Sequence, residues 1–145
     1  MRLSDTARDF LDTHAIAHLA TAGSDGAPHV VPLCYARVGE ALYFVADDKP
    51  KRHGPRRLQR LANIAANPRV ALVVDDYDDA WQRLAYLLLH ADAAVVDDDA
   101  EYGLALAALR RRYAPYRAMS LARLTHPMVR MQPRRWHLWH MVPSA

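Results

Sequence analysis

HAIAHLATA-GSDG-APHVVPLCYA, residues 14–36, is the stretch whose reading decides the fold. Residues 14–22 read as a strand. Gly23-Ser24-Asp25-Gly26 turns the chain, and residues 27–36 return as the second strand of a hairpin. Pro32 stands inside the returning strand. A proline cannot donate to a ladder, so this strand has an open side there, or something other than a strand packs against it. Gly39-Glu40 then turns the chain into a third strand, ALYFVA at 41–46.

Working outward, Ser4 is placed to cap a short helix in which Ala7, Phe10 and Leu11 share a face. Residues 56–66 read as a helix with Leu58, Leu61, Ile64 and Ala65 at helical spacing, stopped by Asn67-Pro68. Val70 to Val74 reads as a buried strand, and the acidic 75–80 segment as a loop. Trp81 to Val96 reads as one strand or a bent pair. Leu87-Leu88-Leu89 lacks polar alternation, so both of its faces should be covered. Residues 99–113 form an alanine- and leucine-rich helix with a basic end, 114–125 are irregular, and 126–141 look like two closing strands. Six or seven strands, mostly hairpin-connected, with two or three helices make a mainly β, α+β chain. The expected architecture is one antiparallel barrel with helices attached, a single domain over 1–145.

Length and composition narrow the function classes. A chain of 145 residues, 52% hydrophobic and 24% charged, is enough for one globular core. Its net charge of +3 is too small, and its basic residues too interspersed with acids, for nucleic acid to lead as partner. No apolar run approaches the roughly 20 residues that span a bilayer, and the first residues lack the apolar core of a signal peptide. The single cysteine, Cys34, allows no internal disulfide. A cytoplasmic protein fits these features.

The chemistry concentrates directly after the third strand. DDKPKRHGPRRLQR, residues 47–60, brings Lys49, Lys51, Arg52, Arg56, Arg57 and Arg60 close together, with a helix expected to start near Pro55. Cationic side chains beside a helix N-terminus make an anion site, because the free backbone N–H groups and the helix dipole add to the charge. A phosphate-bearing ligand suits that arrangement, and so does a solvated basic surface. Elsewhere the residues read as structural. His14 and His18, about 13 Å apart on an extended strand, are too distant to share one metal ion. Cys34 reads as a small buried hydrophobe. Arg110-Arg111-Arg112 reads as decoration of a helix C-terminus, where the dipole favours cations.

Five segments together resemble a known family: ATAGSDGAPHVVPL, LYFVADDKPKR, RLANIAANPRVALVV, DYDDAW and the closing RRWHLW. Their order and spacing are similar to those of the flavin-binding split β-barrel proteins related to pyridoxamine 5′-phosphate oxidase, and most of all to the subset that uses the deazaflavin coenzyme F-420. The resemblance implies a homodimer with two cofactor sites at the subunit interface. It implies that Lys49 and Lys51 hold the cofactor phosphate, with Arg52 and Arg57 as neighbouring candidates. It implies that Val31, Pro32, Val45 and Ala46 lie along the tricyclic ring, that Tyr86 sits near that ring, and that Trp81 and Trp136 lie near the interface. The chain departs from the family where relatives carry an arginine and a glycine-containing turn and this one has Leu88 and His90-Ala91-Asp92. It departs again where relatives place a glycine between the tryptophans and this one has His137-Leu138, and at Ala80, which replaces an acid. Glycine lets backbone approach a ligand closely, so each loss narrows the pocket.

The expected function is therefore an oxidoreductase that binds F-420 and transfers a hydride to a small unsaturated acceptor. An FMN-dependent enzyme, or a non-catalytic carrier of flavin, deazaflavin or haem, is the alternative. Since the cofactor carries the chemistry, the lack of a recognisable catalytic triad does not argue against an enzyme.

Overall fold

The computed structural model describes residues 2–47 and 58–141. Its elements are α1 (Asp5–Thr13), β1 (Ile16–Ala22), β2 (Pro28–Cys34), β3 (Ala36–Val38), β4 (Ala41–Val45), α2 (Gln59–Ala66), β5 (Arg69–Asp76), β6 (Ala85–Val95), α3 (Asp99–Arg112) and β7 (Met128–His140). Short 3₁₀ turns lie at Trp81–Arg83 and Ala114–Ala118. The seven strands form one antiparallel sheet in the order β2-β1-β5-β6-β7-β4-β3.

That order forces the sheet to curl. β2 and β3 are its two edges, yet only Tyr35 separates Cys34 from Ala36 in the chain. Two trans peptide steps reach at most about 7.6 Å, so the edges must come together. The result is a split barrel with a seam at Tyr35. No strand ladder joins β2 to β3, so side chains serve the backbone there. The Tyr113 hydroxyl accepts from Tyr35 N–H at 3.1 Å and lies 2.7 Å from the Tyr35 carbonyl. Arg112 donates to that same carbonyl at 2.9 Å.

Local sequence sets the corners. Ser4 Oγ accepts from Ala7 N–H at 3.1 Å and starts α1. Gly26 takes φ 76° in the β1–β2 turn, a conformation that suits glycine alone at low cost. Asn67 ends α2, and its Oδ1 accepts from Arg69 N–H at 3.1 Å. Asp98 caps α3 by accepting from Glu101 N–H at 2.8 Å. β2 is an edge strand, the position where the ladder tolerates Pro32.

The barrel interior is filled by Leu19, Leu42, Phe44, Leu72, Leu87 and Leu89, all buried. A second cluster packs α3 against β4, with Tyr43, Val45 and Met128 facing Leu106 and Leu109. β4 is thus buried on both faces, which accounts for its unbroken apolar run.

Three sequence expectations are corrected. Residues 128–140 are one long strand rather than two, bent by an irregularity opposite His90/Ala91. Leu87 and Leu89 are buried but Leu88 is only half-buried, so the chain covers one face of β6 and not both. Arg110 and Arg112 do more than decorate a helix end. Arg110 donates to the carbonyls of Tyr116 and Met119, and Arg112 holds the seam.

Among the described residues, no helix is long and apolar enough to cross a membrane.

Candidate functional site

A cavity of about 380 Å³ opens at the split of the barrel, within the usual range for small-molecule sites. Its walls come from both sides of the seam. Ile16, Pro32, Leu33 and Cys34 arrive from the β1–β2 edge, and Phe44 and Val45 from β4. Leu58 and Arg60, at the start of α2, face the Tyr116 turn. Most of these residues are apolar; the ionisable groups concentrate at Asp47, Arg60 and Tyr116.

Asp47 is buried at 4% exposure, immediately beyond β4. A buried carboxylate needs hydrogen bonds, and Tyr116 supplies one by donating to Oδ2 at 3.0 Å. Burial, reinforced by the Asp47 charge, pushes the Tyr116 phenol far above its ordinary range. Tyr116 therefore stays protonated and acts as a fixed donor.

Arg60 is the counterpart on the facing wall. Its guanidinium carbon lies 5.9 Å from the centroid of the Phe44 ring. Its Nε is buried and has no hydrogen-bond partner among the described residues. Burial lowers the Arg60 pKa, against the opposing attraction of Asp47. The Asp47 carboxylate on the same cavity offsets part of the cost of burying this cation, and the unsatisfied Nε leaves one donor for a ligand's acceptor. The helix geometry adds to the demand. Leu58 is the N-cap of α2 and offers no side-chain acceptor to the helix N-terminus, so the first-turn N–H groups and the dipole also favour negative charge here. A ligand with an anionic group attached to a flat apolar body fits these walls. The orphaned Nε donor is the observation that supports the fit.

Of the residues expected from sequence, the cavity wall includes Pro32 and Val45. Val31 packs on the barrel core instead. Ala46 is fully buried, with its N–H donated to the Pro127 carbonyl at 2.9 Å. Tyr86 is not part of this wall; its ring stacks on Trp139 at 5.5 Å between centroids. Trp81 is 63% exposed, and Trp136 packs at the edge of the core. Lys49, Lys51, Arg52 and Arg57 lie outside the described residues. The helix expected over 56–66, with its start near Pro55, is corrected: Leu58 is extended and caps α2, which begins at Gln59; Pro55 itself lies outside the described residues.

Arg60, Asp47 and Tyr116 were not singled out by sequence reasoning. Arg60 sits in the basic run but is set apart from it only by its place in the first turn of α2. Asp47 reads as one more loop acid until β4 fixes it at the cavity. Tyr116 falls in an irregular stretch with no periodic signal.

A sequence profile described as pyridoxamine 5′-phosphate oxidase matches residues 3–140. Solved structures share the architecture. A conserved hypothetical protein from Mycobacterium tuberculosis superposes with TM-score 0.77 at 21% identity, over 99% of this chain and 91% of that one. The heme storage protein HutZ from Vibrio cholerae superposes with TM-score 0.70 at 20% identity, over 97% and 95%. At these identities the likeness speaks for the fold alone. A protein named as an F-420 reductase is similar at 25% identity and TM-score 0.65, over 93% of this chain and 98% of that one. No curated protein matches the sequence.

Proposed function

The chain belongs to the pyridoxamine 5′-phosphate oxidase family, and from that footing we propose that it is a cytoplasmic, homodimeric oxidoreductase that binds the deazaflavin coenzyme F-420. It passes a hydride from the reduced coenzyme to a small unsaturated acceptor. The observation that carries the reading is the under-compensated Arg60 cation on the wall of an otherwise largely apolar cavity. The similarity to a protein named as an F-420 reductase favours the deazaflavin over FMN.

When bound, the cofactor supplies the hydride chemistry. The chain's own residues bind, orient and exclude water. Arg60 and the α2 N-terminus meet the anionic portion. Phe44, Val45, Pro32 and Leu33 supply apolar wall to the ring system, and the Tyr116–Asp47 pair fixes one polar corner. Asp47 and Leu58 flank the basic segment in sequence and both lie on the cavity wall. The segment carrying Lys49, Lys51, Arg52 and Arg57 is therefore covalently tethered to the site at both ends. In this reading Lys49 and Lys51 add point charges to the phosphate, while Arg52 and Arg57 offer planar forks.

Titration of the purified chain with F-420, FMN and haem, followed by fluorescence and absorbance, tests the reading. F-420 should bind most tightly. Lys51→Ala should weaken it by roughly ten- to a hundredfold, the scale of one charge-assisted hydrogen bond. If Lys49→Ala and Lys51→Ala both bind F-420 like the parent, the basic segment is solvated surface and holds no phosphate. Tighter binding of haem than of either flavin-type cofactor overturns the oxidoreductase reading.

The homodimer rests on the outer face of the sheet. Ile16 (43% exposed) and Val30 (66% exposed) lie there, with half-buried Val73 paired to Leu88 and half-buried Tyr86 two residues along β6, opposite Asp75. Tyr86 serves the site only if it is given across such an interface. An interface of standard size covers about 800 Å² on each partner. Light scattering at micromolar concentration should give the mass of two chains; the mass of one overturns this part.

A further inference from the structure

Helix α2 carries Arg60 to the cavity wall, yet little in its own sequence fixes how it lies. It has 8 residues, too few to hold a helix in isolation. Its N-cap, Leu58, makes no side-chain hydrogen bond. Its buried side chains are Leu61, Asn63 and Ile64. Leu61 and Ile64 join the barrel core, and apolar packing is not directional. Asn63 is the directional contact.

Asn63 is 4% exposed, and so is Thr21 on β1. Asn63 Nδ2 donates to Thr21 Oγ1 at 2.9 Å. Asn63 Oδ1 accepts from Gln59 Nε2 at 2.8 Å, one turn back on the same helix. The amide is thus held at both ends, between the sheet and the residue next to Arg60. A buried polar pair of this kind adds little net stability but admits one arrangement. A slide or rotation of α2 would strand a buried N–H, which an apolar contact would not register.

Gly23, at the end of β1, shows how closely the helix is seated. A Cβ placed there would stand 2.9 Å from Asn63 Oδ1, inside van der Waals contact. Among the described residues only Gly26 and Gly39 have positive φ, so a side chain at 23 is refused by space and not by backbone conformation. The obstacle is an amide pinned at both ends, which has no free direction in which to swing aside.

The geometry points to Asn63 as a positioning residue: braced on Thr21 and backed by Gly23, it sets how α2 lies and thereby holds Arg60 at the cavity. The assignment rests on the function proposed above, in which Arg60 meets the anionic portion of the cofactor. A donor already in place spares the ligand the ordering of the helix, so loosening α2 lowers affinity even where the fold survives.

Titration with F-420 well below the thermal midpoint, beside thermal unfolding of the same samples, is the test. Thr21→Val keeps the side-chain shape but leaves the Asn63 N–H unpaired, and should weaken F-420 by about tenfold. Thr21→Ser keeps the hydroxyl and should bind within about twofold of the parent. Gly23→Ala should weaken binding about tenfold in the parent and have almost no effect in Asn63→Ala, where the obstacle is gone. In Arg60→Met, Thr21→Val should cause no further loss of affinity, because it acts through the guanidinium. A merely structural role gives another pattern: lower thermal midpoints, parental affinity in the folded variants, and the same effect of Thr21→Val with or without Arg60. That pattern overturns the assignment. If the parent binds FMN and not F-420, the same series is read with FMN and only the cofactor assignment fails. A parent that binds neither overturns the function proposed for the cavity and the role of Asn63 with it. A parent that binds while Thr21→Val and Gly23→Ala bind equally well overturns the role of Asn63 alone.

Discussion

Arg60→Met should weaken F-420 binding by about a hundredfold while leaving the cofactor-free protein as stable as the parent or slightly more so. The two halves of this result have one cause. The Arg60 guanidinium is held among apolar groups with its Nε unsatisfied, and burial lowers its pKa. The folded state without ligand thus carries a cation it compensates poorly, a destabilisation present at all pH values where the arginine is charged. Methionine keeps most of the stem that packs beside Phe44 and removes the charge, so the cost disappears, by up to about 1 kcal/mol. An anionic ligand loses its charge-assisted donor fork, about 1.5–3 kcal/mol. Isothermal titration and thermal unfolding of the same samples read both halves. A variant that binds normally removes Arg60 from the site. A variant that binds weakly because it is globally destabilised shows instead that the arginine is a structural residue. Lys in place of Met should retain part of the affinity, because the charge returns without the planar fork.

How far this site is legible from sequence depends on which residues fix it. The hairpin at Gly23–Gly26, the stop at Asn67-Pro68 and the apolar run at 41–45 are short-range signals, and each element forms close to where the pattern places it. The closing segment reads as two strands, with Pro133 interrupting the pattern. A bulge absorbs that proline within one continuous ladder. The outer face of β6 reads as covered because three leucines in a row conceal alternation; burial at 87 and 89 but only in part at 88 restores it. The candidate site is harder to read. Arg60, Asp47 and Tyr116 are 13 and 56 residues apart along the chain, counting from Asp47 to Arg60 and from Arg60 to Tyr116. No local spacing links them. They meet only because the sheet curls until its edges touch, a global property of strand order. A reading of local charge density picks out the basic run. It cannot tell which of its cations faces the cavity wall.

The seam itself can be tested, and Arg112→Ala should be the most destabilising single substitution at an incompletely buried position, by about 3 kcal/mol. Arg112 reaches across the gap where no ladder exists. It donates to the Tyr35 carbonyl at 2.9 Å, to the Leu11 carbonyl at 3.0 Å and to the His14 carbonyl, so it joins the end of α1 to the crossing between the two sheet edges. Its guanidinium also lies 4.7 Å from the Tyr35 ring centroid and 5.4 Å from that of Tyr113. Alanine abolishes these contacts together. The Tyr35 carbonyl keeps Tyr113, and the Tyr35 hydroxyl still reaches Leu11 and His14. The loss is therefore one charge-assisted cluster and its stacking rather than three orphaned carbonyls, which sets the scale near 3 kcal/mol and not far beyond it. For a chain of this length that corresponds to a fall in thermal midpoint of roughly 10 °C. Lysine should restore less than half, since a single ammonium cannot span carbonyls on both sides of the seam. Arg111→Ala, one residue away and exposed, should stay within about 0.5 kcal/mol of the parent. Because Cys34 and Val45 line the cavity from opposite sides of this seam, Arg112→Ala should also weaken cofactor binding although Arg112 is not on the cavity wall. If unfolding shows Arg112→Ala within about 1 kcal/mol of the parent, the curl of the sheet holds the seam unaided and the arginine is dispensable.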